Sequence, residues 1–299
     1  MTRNVRSNIM PTLNDRILGC IVGGAIGDYV GCSLEGRSGP FDVSIPASSR
    51  ITDDTQLTLA TCEAITSARG VEPEAIARAF SRWFSQGRIT GYGSSTLKAL
   101  RDLQVGAHWA LSGAKGGRSA GNGAAMRIAP VAFCVDPFGA DGRQLVKHVA
   151  SITHRDDEAI CGALAIAIAI AHDGFDYVPR ILSELPDCVT RHRLAELASR
   201  PNVSITDLGI EYGTSGYVAD SAPVSLIAAQ RAEAIGFQDA VFGVIACGGD
   251  TDTTGSMAAQ IIGSKIGLSG IPEELRSLRF GLEDVNQIAS DFANYVCGN

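Results

Sequence analysis

Glycines recur at positions 19, 23, 27 and 31, and a four-residue interval puts all of them on one face of a helix. Glycine costs about 1 kcal/mol per helical position relative to alanine. Four in register therefore imply tight packing on another backbone or a ligand close by. The spacing predicts a helix from Asp15 to about Leu34 whose glycine face meets a neighbour at short range. The apolar run from Ile17 to Leu34 is near the lower length limit for a membrane span, but it carries Asp28 and five glycines. Arg3, Arg6 and Arg16 ahead of it mimic the basic region of a secretory leader, yet Asp15 interrupts that region. The run reads as a core helix.

Apolar residues at three- and four-residue intervals predict further helices over Leu57 to Ala68, Pro73 to Phe84, Ser94 to Leu103, Val224 to Ala234, Asp239 to Cys247 and Thr254 to Ile266. Glu158 to His172 is apolar throughout and predicts a central helix. Alternating β-branched segments are scarce, so the expected fold class is all-α, a single multi-helix globule with glycine-containing loops. With 299 residues, 45% of them hydrophobic and 19% charged, the chain can bury a large core, and no linker or repeat divides it. Residues 1–14 lack periodicity and contain Pro11, which suggests a loose arm or a partner-binding extension ahead of a domain over residues 15–299. The formal net charge of −7 argues against general binding to nucleic acid or anionic membrane. Eight cysteines without a Cys-x-x-Cys pair, mostly in apolar surroundings, fit free thiols in a reducing cytoplasm.

Chemistry concentrates in two clusters far apart in the chain, Thr52-Asp53-Asp54-Thr55 and Asp250-Thr251-Asp252-Thr253. Both consist of carboxylates and hydroxyls, the hard oxygen donors that suit Mg²⁺ or Mn²⁺, without the His and Cys company that zinc prefers. Unpaired buried carboxylates are expensive, and one or two bound cations would offset that cost. Helix capping is the plain alternative, since Thr and Asp are good N-caps. A doubled Asp, and Asp-x-Asp after Gly248-Gly249, exceed what a cap requires.

The stretch from Gly113 to Met126 has five glycines together with Lys115 and Arg118. Such a segment can form an amide nest for phosphate oxygens, or simply a mobile surface loop. Its Gly117-Arg118-Ser119-Ala120-Gly121 matches the Gly-x-Ser-x-Gly of serine hydrolases, but no convincing strand precedes it. No Gly-x-x-x-x-Gly-Lys-Ser/Thr run supports nucleotide hydrolysis either. His154 stands at the start of the central helix, suited to holding a ligand or to a structural hydrogen bond. Tyr217, in the turn from Gly213 to Ser221, could stack on a base or pack in the core.

At these residues the chain resembles the ADP-ribosylglycohydrolases. The resemblance rests on Gly27-Asp28 with Gly31 and Glu35, Thr52-Asp53-Asp54-Thr55, the run from Gly121 to Arg127, Thr153-His154, and Gly248-Gly249-Asp250-Thr251-Asp252-Thr253, in the family's order. It implies an all-α globule with a dinuclear Mg²⁺ or Mn²⁺ centre in a cleft, with Thr52, Asp53, Asp54, Asp250, Asp252 and Thr253 as ligands. It further implies that Gly121, Asn122, Gly123 and Met126 cradle ADP-ribose, with His154 helping to hold it and Tyr217 against the adenine. The implied reaction is removal of ADP-ribose from a protein side chain, with arginine as the favoured linkage and Glu35 as the candidate for proton transfer. The alternatives are hydrolysis of serine-linked or O-acetyl-ADP-ribose, or a non-catalytic ADP-ribose-binding module. The expected partners are ADP-ribose and an ADP-ribosylated protein, and the expected state is a monomer. Asp28 is assigned a supporting role, hydrogen-bonding the metal loop or capping a local break.

Overall fold

The computed structural model describes residues 11–116, 119–280 and 284–298. Helices build most of it, joined by irregular loops. The one ladder among the described residues is a two-residue antiparallel pair, Arg37–Ser38 with Gly248–Gly249. The N-terminal helix runs Leu13–Gly31, two residues earlier than the periodicity suggests, because the Thr12 hydroxyl accepts the Asp15 N–H at 3.2 Å and caps it. A 3₁₀ turn, Cys32–Leu34, follows. Of the expected arm over residues 1–14, residues 1–10 lie outside the described residues.

The glycine stripe meets the backbone of the helix Thr251–Gly270. A β-carbon on Gly19 would fall 2.5 Å from the Gly263 carbonyl oxygen, one on Gly23 2.8 Å from Ala259, one on Gly27 2.2 Å from Gly255, and one on Gly31 2.3 Å from Thr251. Each four-residue step forward on one helix is matched by a four-residue step back on the other, so the two run antiparallel with their backbones in contact. Gly255 and Gly263 answer from the partner face, and the Thr251 hydroxyl donates to the Gly31 carbonyl at 2.8 Å. This register sets the C-terminal end of the first helix against the N-terminal end of the last long one. The N-terminal helix is apolar enough to cross a membrane, but 78% of the qualifying window is buried inside the protein, as befits a core helix.

Around this pair pack Asp53–Ala68, Asp157–Ala171 and Val218–Ile235. The predicted central helix is capped by Asp156 and buried along most of its length. Lys265 closes its other end, its ammonium donating to the carbonyls of Ala169 and Ile170 at 2.6 and 3.1 Å and to that of His172. Val218–Ile235 starts six residues before the predicted Val224 and tolerates Pro223 in its second turn. Thr251–Gly270 breaks at Gly267, whose φ of 71° is left-handed. All eight cysteines are free.

Candidate metal centre and ligand cleft

The first acidic cluster is held from below by Asp28. This wholly buried carboxylate accepts the Thr52 N–H at 2.9 Å, the Thr52 hydroxyl at 3.0 Å, the Thr55 N–H at 3.1 Å and the Thr55 hydroxyl at 2.6 Å. Burial pushes Asp28 up to about 6 even though these bonds favour its charged form. Two of the four orphan amides at the start of Asp53–Ala68 are thereby satisfied by a residue of another helix. The Asp53 and Asp54 side chains are left to face the cleft.

The second cluster is delivered by Gly248 and Gly249, at φ 82° and 75°. A side chain on Gly249 would lie 2.5 Å from the Thr214 carbonyl oxygen. Asp250 occupies the N-cap position of Thr251–Gly270 but makes no side-chain capping bond. Its Oδ2 instead accepts from Asn122 Nδ2 at 2.7 Å, and its N–H donates to the Thr214 carbonyl at 2.7 Å. Capping therefore accounts for Thr52, which accepts the Asp54 N–H at 3.4 Å, and leaves the Asp250 carboxylate unexplained.

The two clusters meet. The Thr253 hydroxyl donates to Asp54 Oδ2 at 3.1 Å, and the Thr52 hydroxyl reaches the same oxygen at 3.2 Å. Carboxylate oxygens of Glu35, Asp250 and Asp252 lie within 4.8 Å of one another. Glu35 follows the 3₁₀ turn and is steadied by the Gly36 N–H, which donates to the Gly249 carbonyl at 2.8 Å. Burial, then the neighbouring carboxylates, raise Asp53 and Asp54 well above the ordinary carboxylate range and Asp252 to about 10. Glu35 is raised by burial and by the Asp250 charge, with Arg50 acting the other way.

This donor set fits divalent cations. Asp54 Oδ1 is buried without a hydrogen-bond partner, and no ion pair among the described residues engages Glu35, Asp53, Asp54, Asp250 or Asp252. Hard oxygens crowded together without an ion pair to any of them are what Mg²⁺ and Mn²⁺ take.

Above the carboxylates opens a cleft of about 510 Å³. Its walls include Gly121, Asn122, Gly123, Met126 and His154 together with Glu35, Asp53, Asp54, Asp250, Asp252 and Thr253. The end of the glycine-rich stretch is no mobile surface loop: Asn122–Arg127 is a fully buried 3₁₀ turn, while residues 117 and 118 lie outside the described residues. Thr52 stays beneath the cleft, its hydroxyl engaged by Asp28 and Asp54. Tyr217 is not among the lining residues. Its backbone bridges to Gly121, and its half-buried ring lies 5.8 Å from the Arg193 guanidinium. Among the contributors that escaped the sequence reading are Thr96, which lines the wall near Gly123, and Ser221, whose hydroxyl accepts from Asn122 Nδ2 at 3.1 Å. Helical periodicity marks the segment of Thr96 but carries no signal that it faces the cleft, and Ser221 falls in the stretch read as a turn.

With this geometry in view, the ADP-ribosylglycohydrolase family matches residues 10–299. The chain belongs to the ADP-ribosylglycohydrolase family. It is accordingly an enzyme, a hydrolase of glycosidic bonds to ADP-ribose. Among its relatives, an ADP-ribosylarginine hydrolase of Pseudomonas putida is 29% identical over 87% of this chain and 73% of its own. ADP-ribosylhydrolase ARH3 of Danio rerio is 24% identical over 94% and 91%. A solved structure titled ADP-ribosylglycohydrolase-related protein complex superposes with a TM-score of 0.66 at 25% identity, covering 95% of this chain and 99% of that one.

Proposed function

We propose that the protein is a metal-dependent hydrolase that releases ADP-ribose from a modified arginine side chain of a protein. The observation that carries metal dependence is the buried Asp54 Oδ1, without a hydrogen-bond partner and close to a group of carboxylates that no ion pair among the described residues engages. Support for arginine is the name of the relative at 29% identity. Asp53, Asp54, Asp250, Asp252, Thr253 and Thr52 are the residues to hold two Mg²⁺ or Mn²⁺ ions. Bound there, the ions supply positive charge against which the ribose hydroxyls and a water are oriented.

The chain's own groups do the rest. Asn122 holds Asp250 by its amide, and Asp28 holds the Thr52 loop, so both acidic clusters meet the substrate already positioned. Glu35, at the rim of the carboxylate group and raised by burial and by Asp250, is suited to exchange a proton with the leaving nitrogen or the attacking water. Gly121 and Gly123 line the cleft, where the lack of a side chain lets a sugar or diphosphate approach the backbone. The modified protein remains outside the cleft, with only its ADP-ribosylated side chain entering.

The decisive test is release of free ADP-ribose from arginine-, serine- and O-acetyl-linked substrates, each with Mg²⁺, with Mn²⁺ and with chelator. Metal-dependent release from the arginine conjugate is expected. Preference for another linkage would overturn the arginine assignment, and full activity in chelator would overturn metal dependence.

A further inference from the structure

Arg127 is a buried cation that the mechanism above does not use. It is wholly inaccessible, its Nε and Nη1 have no hydrogen-bond partner, and its guanidinium lies 4.8 Å from the Phe80 ring. Its one strong bond runs from Nη2 to Thr153 Oγ1 at 2.7 Å, with a longer one to the Val149 carbonyl at 3.3 Å. Thr153 Oγ1 in turn lies 2.8 Å from Nδ1 of His154. The three side chains form a chain of hydrogen bonds that ends at the cleft wall, where His154 packs on the ligand-facing glycines. A β-carbon on Gly121 would be 3.1 Å from Nε2, and one on Gly123 2.7 Å from Cε1.

The direction of this chain follows from its first member. A guanidinium can only donate, so Thr153 Oγ1 accepts from Arg127. The Thr153 hydrogen then needs an acceptor, and among the described residues the one within reach is His154 Nδ1. The reverse arrangement, with Nδ1 donating, would leave a buried hydroxyl hydrogen with nothing to accept it, which buried hydroxyls avoid. Burial and the Arg127 charge both lower the His154 pKa, to about 3, so the ring carries a single proton at neutral pH.

We propose that Arg127 and Thr153 are positioning residues that lock His154 in the tautomer protonated on Nε2, so that the ring presents an N–H donor to an anionic or hydroxyl oxygen of the bound ligand. The tautomer rests on the hydrogen bonds alone; its use in binding rests on the reading of the cleft as the ADP-ribose site. A donor there complements phosphate and ribose oxygens, whereas the other tautomer would set a lone pair against them.

The test is ¹⁵N NMR of histidine-labelled protein near pH 7, combined with calorimetric titration of ADP-ribose in the presence of Mg²⁺. In the native protein His154 should show a pyrrole-type Nε2 and a pyridine-type Nδ1. Thr153→Ser should keep that signature and bind ADP-ribose within about twofold of native. Thr153→Val, nearly isosteric, should give a mixed or inverted tautomer and weaken binding about tenfold. Arg127→Met should do the same, and the Thr153 pair decides the matter if that variant fails to fold. A native Nδ1–H tautomer would overturn the lock. An altered tautomer in Thr153→Val with unchanged affinity would overturn its role in binding. Native protein that shows the Nε2–H signature yet binds no ADP-ribose would refute the reading of the cleft and the binding role together, leaving the tautomer assignment standing.

Discussion

The Thr253 hydroxyl donates to Asp54 Oδ2 at 3.1 Å, joining the two acidic clusters through residues 199 positions apart in the chain. That contact exists because Gly31 lies against Thr251, so that the first helix ends where the last long helix begins. The metal centre is thus a consequence of helix register, and substitutions far from any carboxylate should disturb it.

Gly27→Ala and Gly31→Ala each drive a β-carbon into backbone, at 2.2 Å from Gly255 O and 2.3 Å from Thr251 O. Backbone cannot rotate away, so each should destabilise the protein by about 1–3 kcal/mol despite the better helix propensity of alanine. Gly31→Ala should also weaken Mg²⁺ binding. Gly70→Ala, whose β-carbon meets nothing within 4 Å, is the control. Urea unfolding of the three variants measures the difference, and equal midpoints would refute the register argument.

Asp28→Asn keeps the shape but replaces a carboxylate that accepts from Thr52 and Thr55 with a group having one acceptor oxygen. Metal affinity should fall about 10- to 100-fold, the usual effect of loosening the support of a ligand. Calorimetric Mn²⁺ titration reads this directly, and native affinity would show that Asp28 serves folding alone.

Glu35→Gln should preserve fold and metal content while lowering turnover about 100-fold or more, as expected when a proton-transfer group is removed. Single-turnover release of ADP-ribose separates this from a binding defect. Near-native turnover would remove Glu35 from proton transfer.

Stability of the metal-free protein should fall as pH rises. Asp28 is raised from 3.8 to about 6 and Asp252 from 3.8 to about 10 by burial and neighbouring charge. The folded state therefore keeps protons that the unfolded chain releases above about pH 4. That contribution is whole below the unfolded pKa and is lost as pH climbs through the folded values. In chelator, thermal unfolding at pH 8 should come at lower temperature than at pH 5. Saturating Mg²⁺ should remove or reverse the difference, because cations and protons compete for the same oxygens. A chelated protein more stable at pH 8 would contradict the assigned shifts.

Lys265→Met should destabilise the protein by about 2–3 kcal/mol, since three carbonyls at the end of the central helix lose their donor inside the core. Chemical denaturation measures the loss, with activity per folded molecule retained.

Much of this was legible in the chain. Periodicity placed the helices because a buried face needs apolar residues at the helical repeat, and the four-residue glycine spacing announced a close backbone contact. The acidic clusters announced cations because carboxylates in apolar surroundings require them. Boundaries slipped where side-chain caps decide them, as at Thr12 and Asp156.

What sequence alone determined, then, is local: which segments coil, which faces are bare, and which residue types carry charge without obvious company. Only the tertiary structure decided that Gly31 pairs with Thr251, that Asp28 holds the Thr52 loop, that Asn122 grips Asp250, and that Arg127 reaches His154 through Thr153. It also set the Tyr217 ring beside Arg193 and outside the cleft lining. These are contacts between residues distant in the chain. Local propensity carries no information about them, because they form only when helices dock in one register and bury their polar groups in pairs.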